Sequence, residues 1–139
     1  MAVVRSPHEA ILTRVSMAKK HSPKFLAAVN AARNDILECE PHEFREMLED
    51  KESLVVIDVR ERHEFEDGHL VNSIHIGKGV LERDIEKHDI PDEQRIVLYC
   101  GGGFRSAIAA KSLNEMGYTT VFSLWGGWRG ILAEGLETE

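Results

Sequence analysis

Cysteine is scarce in this chain, with only Cys39 and Cys100 among 139 residues. Two cysteines so far apart form neither a disulfide framework nor a zinc cluster. A reduced, cytoplasmic setting is therefore expected, and within it a lone cysteine can be a nucleophile. No apolar stretch approaches the roughly 20 residues of a membrane span, and the start, Met1 to His8, lacks the apolar core of a secretory signal. Basic residues are in deficit, 17 Lys and Arg against 24 Asp and Glu, for a net charge of −7. That balance argues against nucleic acid or an anionic membrane as partner, because both reward clustered cations. Proline-, glycine- or serine-rich tracts, repeats and low-complexity runs are absent as well. What remains is ordinary globular composition, 42% hydrophobic and 29% charged, at a length that favours one domain with a short extension.

Two helix starts stand out early. Ser6-Pro7-His8-Glu9 places a cap residue before proline, with glutamate three after the serine. Ser22-Pro23 repeats the signal, and Phe25, Leu26, Val29, Ala32 and Ile36 form an apolar stripe after it. Residues 1–35 thus read as a two-helix extension whose faces need a partner surface, whether the following domain, another protein or a second copy. From residue 36 the pattern alternates strand and helix. Leu54–Val59, Ile96–Tyr99 and Thr119–Leu124 are the β-branched or apolar runs of strands buried on both faces. Shorter strands are expected at Ile36–Cys39 and Ile74–Ile76, and helices near 41–50, 79–88 and 104–116, with Gly117 as a left-handed cap. Such alternation predicts an α/β domain over residues 36–139, built on a parallel sheet. Ligands on such sheets bind beyond the carboxyl ends of the strands.

There the chain reads Tyr99-Cys100-Gly101-Gly102-Gly103-Phe104-Arg105-Ser106. Three glycines let successive backbone amides turn inward as an anion nest around the sulfur. The following helix contributes its positive end and Arg105 a permanent charge. Together these favour a thiolate, and the same nest suits a phosphate, an arsenate or the outer sulfur of a persulfide. Cys39 has no such surroundings and reads as a small buried hydrophobe. A dinucleotide turn is excluded, because Ser106 stands where Gly-x-Gly-x-x-Gly requires glycine.

The Cys-x-x-Gly-x-Arg-Ser pattern after a hydrophobic strand resembles the active-site loop of rhodanese-like sulfurtransferases. Asp58-Val59-Arg60-Glu61 with Glu64-Phe65, then Gly68-His69-Leu70, then Gly126-Gly127-Trp128 follow in the order the family shows. The resemblance implies a five-stranded parallel sheet flanked by helices and Cys100 as the residue that carries sulfur. It also implies that Gly101, Gly102, Gly103, Phe104 and Arg105 bind substrate or persulfide, and that Asp58, Arg60, Glu64 and Ser106 support the loop. Asp58 and Glu64 are expected near Arg105, which then braces the loop through a charge-assisted pair, while Asp58 and Arg60 form a structural ion pair. His69 and His75 receive no catalytic role. Trp125 and Trp128 divide between core packing and cover over the loop. Two departures stand out: Val71-Asn72-Ser73 replaces the family's Pro-Gly-Ala, where asparagine tolerates the left-handed turn, and Ile131 stands where many members carry tryptophan. The loop also lacks the lysine or second arginine of some active members.

The chemistry so implied is ping-pong sulfur transfer from thiosulfate or another sulfane donor, through a Cys100 persulfide, to cyanide or a cellular thiol. It calls for no metal and no organic cofactor. Two alternatives stay open. One is a non-enzymatic persulfide carrier or interaction module served by the N-terminal helices. The other is a phosphatase or arsenate reductase, whose loops have five residues between cysteine and arginine where this chain has the four of 101–104.

Overall fold

The computed structural model of the chain describes residues 21–50 and 52–139. The helix expected after Ser6-Pro7 lies outside the described residues. The helix signalled by Ser22-Pro23 is α1, Pro23–Arg33, with Ser22 extended at its start and proline in its first turn. Then follow β1 (Leu37–Cys39), α2 (Pro41–Glu49), β2 (Leu54–Asp58), α3 (Arg62–Glu66) and β3 (Ile74–His75). After these come α4 (Leu81–Asp84), β4 (Arg95–Tyr99), α5 (Arg105–Glu115), β5 (Val121–Leu124) and α6 (Gly127–Ala133). The strands form one parallel sheet in the order β1-β5-β4-β2-β3. The expected five-stranded parallel sheet flanked by helices is the observed one, and β4 is its central strand.

The sheet is buried on both faces because its strands carry apolar side chains at successive positions. Ile96, Leu98 and Cys100 pack with Val29 of α1, Leu81 of α4 and Ala107, Ala110 and Leu113 of α5. Val97 and Tyr99 point the other way, toward Phe44 and Met47 of α2, Leu70 and Ile131 of α6. Ile131, where the family often has tryptophan, is therefore a core residue and not a pocket wall. α1 belongs to the same packed body. Val29 and Ala32 are 1% exposed, and Arg33 makes a buried 2.8 Å ion pair with Glu38 of β1 while lying 4.9 Å above the Trp125 ring.

One expected helix is broken. Residues 79–88 form a 3₁₀ turn at Lys78–Val80, the single turn of α4, and a second 3₁₀ turn at Ile85–His88 closed by Asp89 at φ +52°. Only Leu81 and Ile85 of this charged stretch are buried, and Gly79 lowers the helix propensity of its start. The Asn72 turn takes φ +67° and Gly117 φ +104°, both in the left-handed region.

Candidate active site

β4 delivers Cys100 at its carboxyl end, where the side chain is 1% exposed. Its Sγ accepts hydrogen bonds from the backbone N–H of Gly103 at 3.1 Å and of Ser106 at 3.4 Å. Sγ also lies 3.5 Å from Ser106 Oγ, which in turn sits 2.8 Å from Ser123 Oγ. The Gly103 amide turns inward because that residue takes φ +98°, a conformation that costs glycine little. The Ser106 amide belongs to the first turn of α5, where N–H groups have no partner inside the helix. Ser106 is thus a sulfur ligand as well as a support, one residue beyond the 101–105 amides expected to line the nest. At Gly101 and Gly102 a Cβ would come within 3.3 Å of a guanidinium nitrogen, of Arg105 and Arg129 respectively, each the far end of a side chain that can shift.

Arg105 turns its guanidinium onto Glu64, with Nη1–Oε2 and Nη2–Oε1 distances of 3.0 and 3.3 Å. Glu64 Oε2 also accepts the Glu61 N–H at 2.8 Å, so one carboxylate caps α3 and ties it to the loop. The bond from Arg105 holds the Glu64 carboxyl below the usual glutamate value, against the opposing effect of its burial. Of the two carboxylates expected near Arg105, only Glu64 bonds to it. Asp58 is taken by Arg60, through the backbone N–H at 2.9 Å and the guanidinium at 2.7 Å. A lowered carboxyl contributes stability that is complete above the unfolded value, about pH 4.3, and is lost as pH falls through the folded value. Glu64→Gln is therefore expected to lower the melting temperature at neutral pH by an amount worth about 0.5–1 kcal/mol, given the pair's partial exposure. The gap to wild type should close below about pH 4, which melts recorded across pH 3–7 would reveal.

Behind the loop, Arg60 also donates to Gly68 O at 2.7 Å and lies 4.6 Å above the Trp128 ring. Gly68 leaves room for that ring, since a Cβ there would meet it at 3.3 Å. Tyr99 stacks on Trp128 and its hydroxyl accepts the Leu70 N–H at 3.1 Å. The start of α6 then grips the loop from below: Trp128 N–H donates to Cys100 O at 2.7 Å and Arg129 N–H to Gly101 O at 3.3 Å. Trp128 is thus packing, while Trp125 borders a cavity beside the loop. The histidines are structural in their contacts: His75 Nε2 meets Arg60 O at 2.7 Å, and His69 Nδ1 meets Phe65 O at 2.8 Å.

A cavity of about 360 Å³ opens above Cys100, walled by Phe104, Arg105, Arg129 and, from α1, Phe25 with the preceding His21. Arg129 was not foreseen. Its only sequence signal is its place directly after Gly126-Gly127-Trp128. It supplies from α6 the second cation that the loop itself lacks. Cys39 lines neither this cavity nor its neighbour, and burial, with the charges of Glu43 and Glu38, pushes its thiol up.

A family model described as the rhodanese-like domain matches residues 40–134. The chain belongs to the rhodanese-like family. Among curated relatives it is 35% identical to the thiosulfate sulfurtransferase GlpE of Coxiella burnetii over 78 residues, 56% of this chain and 71% of that one. It is 30% identical to the putative sulfur carrier protein YrkF of Bacillus subtilis over 86 residues, 62% of this chain and 45% of that protein. Among solved structures, the polysulfide-sulfur transferase homodimer of Wolinella succinogenes superposes with a TM-score of 0.72 at 31% identity, covering 88% of this chain and 92% of that one. Two of these relatives are named for sulfur transfer and one as a putative sulfur carrier. No helix among the described residues is long and apolar enough to cross a membrane.

Proposed function

We propose that this rhodanese-like protein is a sulfurtransferase that moves sulfane sulfur through a persulfide on Cys100. The observation that carries the reading is the pair of amides, Gly103 and Ser106, donating to Cys100 Sγ at the start of α5. Donors fixed in this way need not reorganise when negative charge moves among them. The Cys100 thiolate attacks the outer sulfur of thiosulfate. A bond forms from Sγ to that sulfur, the old S–S bond breaks, and its electron pair leaves with sulfite. Cyanide, or a thiol, then attacks the outer sulfur of the persulfide. The Cys100–sulfur bond breaks, and its electrons return to Sγ, which restores the thiolate. No external oxidant or reductant enters.

Phosphate ester hydrolysis fits the site less well. Arg105 spends both terminal nitrogens on Glu64, so it braces the loop and does not face an oxyanion over the sulfur. Its loop is also one residue shorter than the phosphatase pattern. The test is intact-mass measurement after exposure to thiosulfate. The expected result is a gain of one sulfur atom, mapped to Cys100 and removed by cyanide. No gain under conditions where the thiol is free to alkylate would overturn the reading.

A further inference from the structure

The cavity above Cys100 adjoins a second one, of about 340 Å³, and His21, Gly102, Phe104 and Arg129 border both. Each lies near the lower end of the volumes that hold small ligands, about 300–1,000 Å³. The first is enough for a small inorganic donor such as thiosulfate. The second is walled mainly by Pro41, Trp125 and Phe104, with Glu40 also on its border, so it suits a carbon skeleton. Arg129 stands where the two meet, its Nη2 drawn up against the space that Gly102 leaves open. The two arginines beside the loop differ in their commitments. Arg105 is spent on Glu64, whereas among the described residues no carboxylate pairs with the Arg129 guanidinium. The second chamber therefore offers an apolar wall and one available cation within reach of the reacting sulfur. Glu40 on the same border disfavours an occupant with more than one negative charge.

We infer that Arg129 and the Trp125–Pro41 chamber form an acceptor subsite for a small organic thiol that carries a single carboxylate. This rests on the sulfur-transfer reading above and names the acceptor class for it. The carboxylate pairs with Arg129, the carbon chain lies along Trp125 and Phe104, and the thiol sulfur points toward the persulfide. The acceptor thiolate attacks the outer sulfur, an acceptor persulfide forms, and the electrons of the broken Cys100–sulfur bond return to Sγ. Arg129 is a specificity-determining residue and takes no part in the bond changes.

The test uses the full chain loaded with thiosulfate, freed of excess donor, and chased with 3-mercaptopropionate or with neutral 2-mercaptoethanol. The second-order rate of loss of the added sulfur is read by quenched intact mass. The expected result is that Arg129→Gln lowers the ratio of the carboxylate-thiol rate to the neutral-thiol rate by about fivefold, the scale of a partly exposed ion pair. Arg129→Lys should recover part of that ratio, and 0.5 M salt should lower it in wild type by screening the pair. An unchanged ratio in Arg129→Gln, or equal slowing with both thiols, overturns the subsite while leaving sulfur transfer intact. Failure of wild type to gain sulfur from thiosulfate overturns the sulfur-transfer reading itself, and the subsite with it.

Discussion

Replacing Cys100 with serine should reduce thiosulfate:cyanide sulfur transfer to the uncatalysed background, while Cys39→Ala should keep most of the rate. A serine oxygen cannot hold the transferred sulfur, so both half-reactions lose their covalent intermediate and with it the division of one difficult step into two. The contrast between the cysteines is one of surroundings. Cys39 is the last residue of β1 and Cys100 the first after β4, and each is 1% exposed. Cys100, however, has two amides on its sulfur, a helix start beside it and a cavity above. Cys39 packs among Phe44, Tyr99, Leu124 and Ile131, where burial and three nearby glutamates, Glu43, Glu38 and Glu40, push the thiol up. Cys39→Ala should cost on the order of 1 kcal/mol of stability, visible as a modest loss of melting temperature and not as a loss of persulfide. Thiocyanate formation and intact mass, measured on both variants alongside melts, decide the matter. Equal loss of activity in two folded variants would remove Cys100 from its role.

Much of this architecture is written locally. The runs from Leu54 to Val59, Asp58 apart, and from Ile96 to Tyr99 are apolar or β-branched at successive positions, as a strand covered on both faces requires, and they fall in the neighbouring strands β2 and β4. The Cys100 loop could be read because its parts are contiguous: glycine for a turn, then a helix start. Elements of fewer than two turns carry too little periodicity to register, and so α3, of five residues, and α6, of seven, went unseen. α3 leaves only the Glu61–Glu64 capping spacing as a trace. α6 is hidden by its glycines. Gly126, at φ +78°, looks like part of a turn, and Gly130 looks like a break, although it is there because a Cβ would come within 2.8 Å of Pro41 Cγ. Missing α6 meant missing Arg129, since its position over Gly102 comes from a backbone grip between segments distant in the chain. The pairing of Arg105 with Glu64, in contrast, followed from the family resemblance. The assignment of Asp58 to Arg60 alone depended on where the carboxylate sits at 0% exposure, a matter of three-dimensional packing.

The same grip makes Gly127 the position at which the smallest change should do the most damage. Gly127 takes φ +49°, and a Cβ there would lie 2.3 Å from Cys100 O and 2.9 Å from the carbonyl carbons of Cys100 and Gly101. No flexible side chain is available to yield at the closest approach, because the three nearest atoms are backbone of Cys100 and Gly101. Relieving the clash means moving α6 away, which stretches the 2.7 Å bond from Trp128 N–H to Cys100 O, or tilting the loop and withdrawing its amides from Sγ. Gly127→Ala should therefore destabilise the fold by about 3 kcal/mol or more, roughly 10 °C in melting temperature for a chain of this size, and the fraction that folds should load poorly with sulfur. Gly117→Ala separates the clash from backbone strain. Gly117 has φ +104° with nothing within 4 Å of a Cβ, so alanine there should cost only the left-handed penalty of about 1–2 kcal/mol. Sulfur loading should be unaffected, since Gly117 lies beyond the far end of α5 from Cys100. A Gly127→Ala protein that melts no lower than Gly117→Ala and loads sulfur at the wild-type rate would show that α6 does not hold the loop. The geometry predicts the opposite order, because the αL strain is common to both glycines and only Gly127 presses its new atom into the backbone of Cys100.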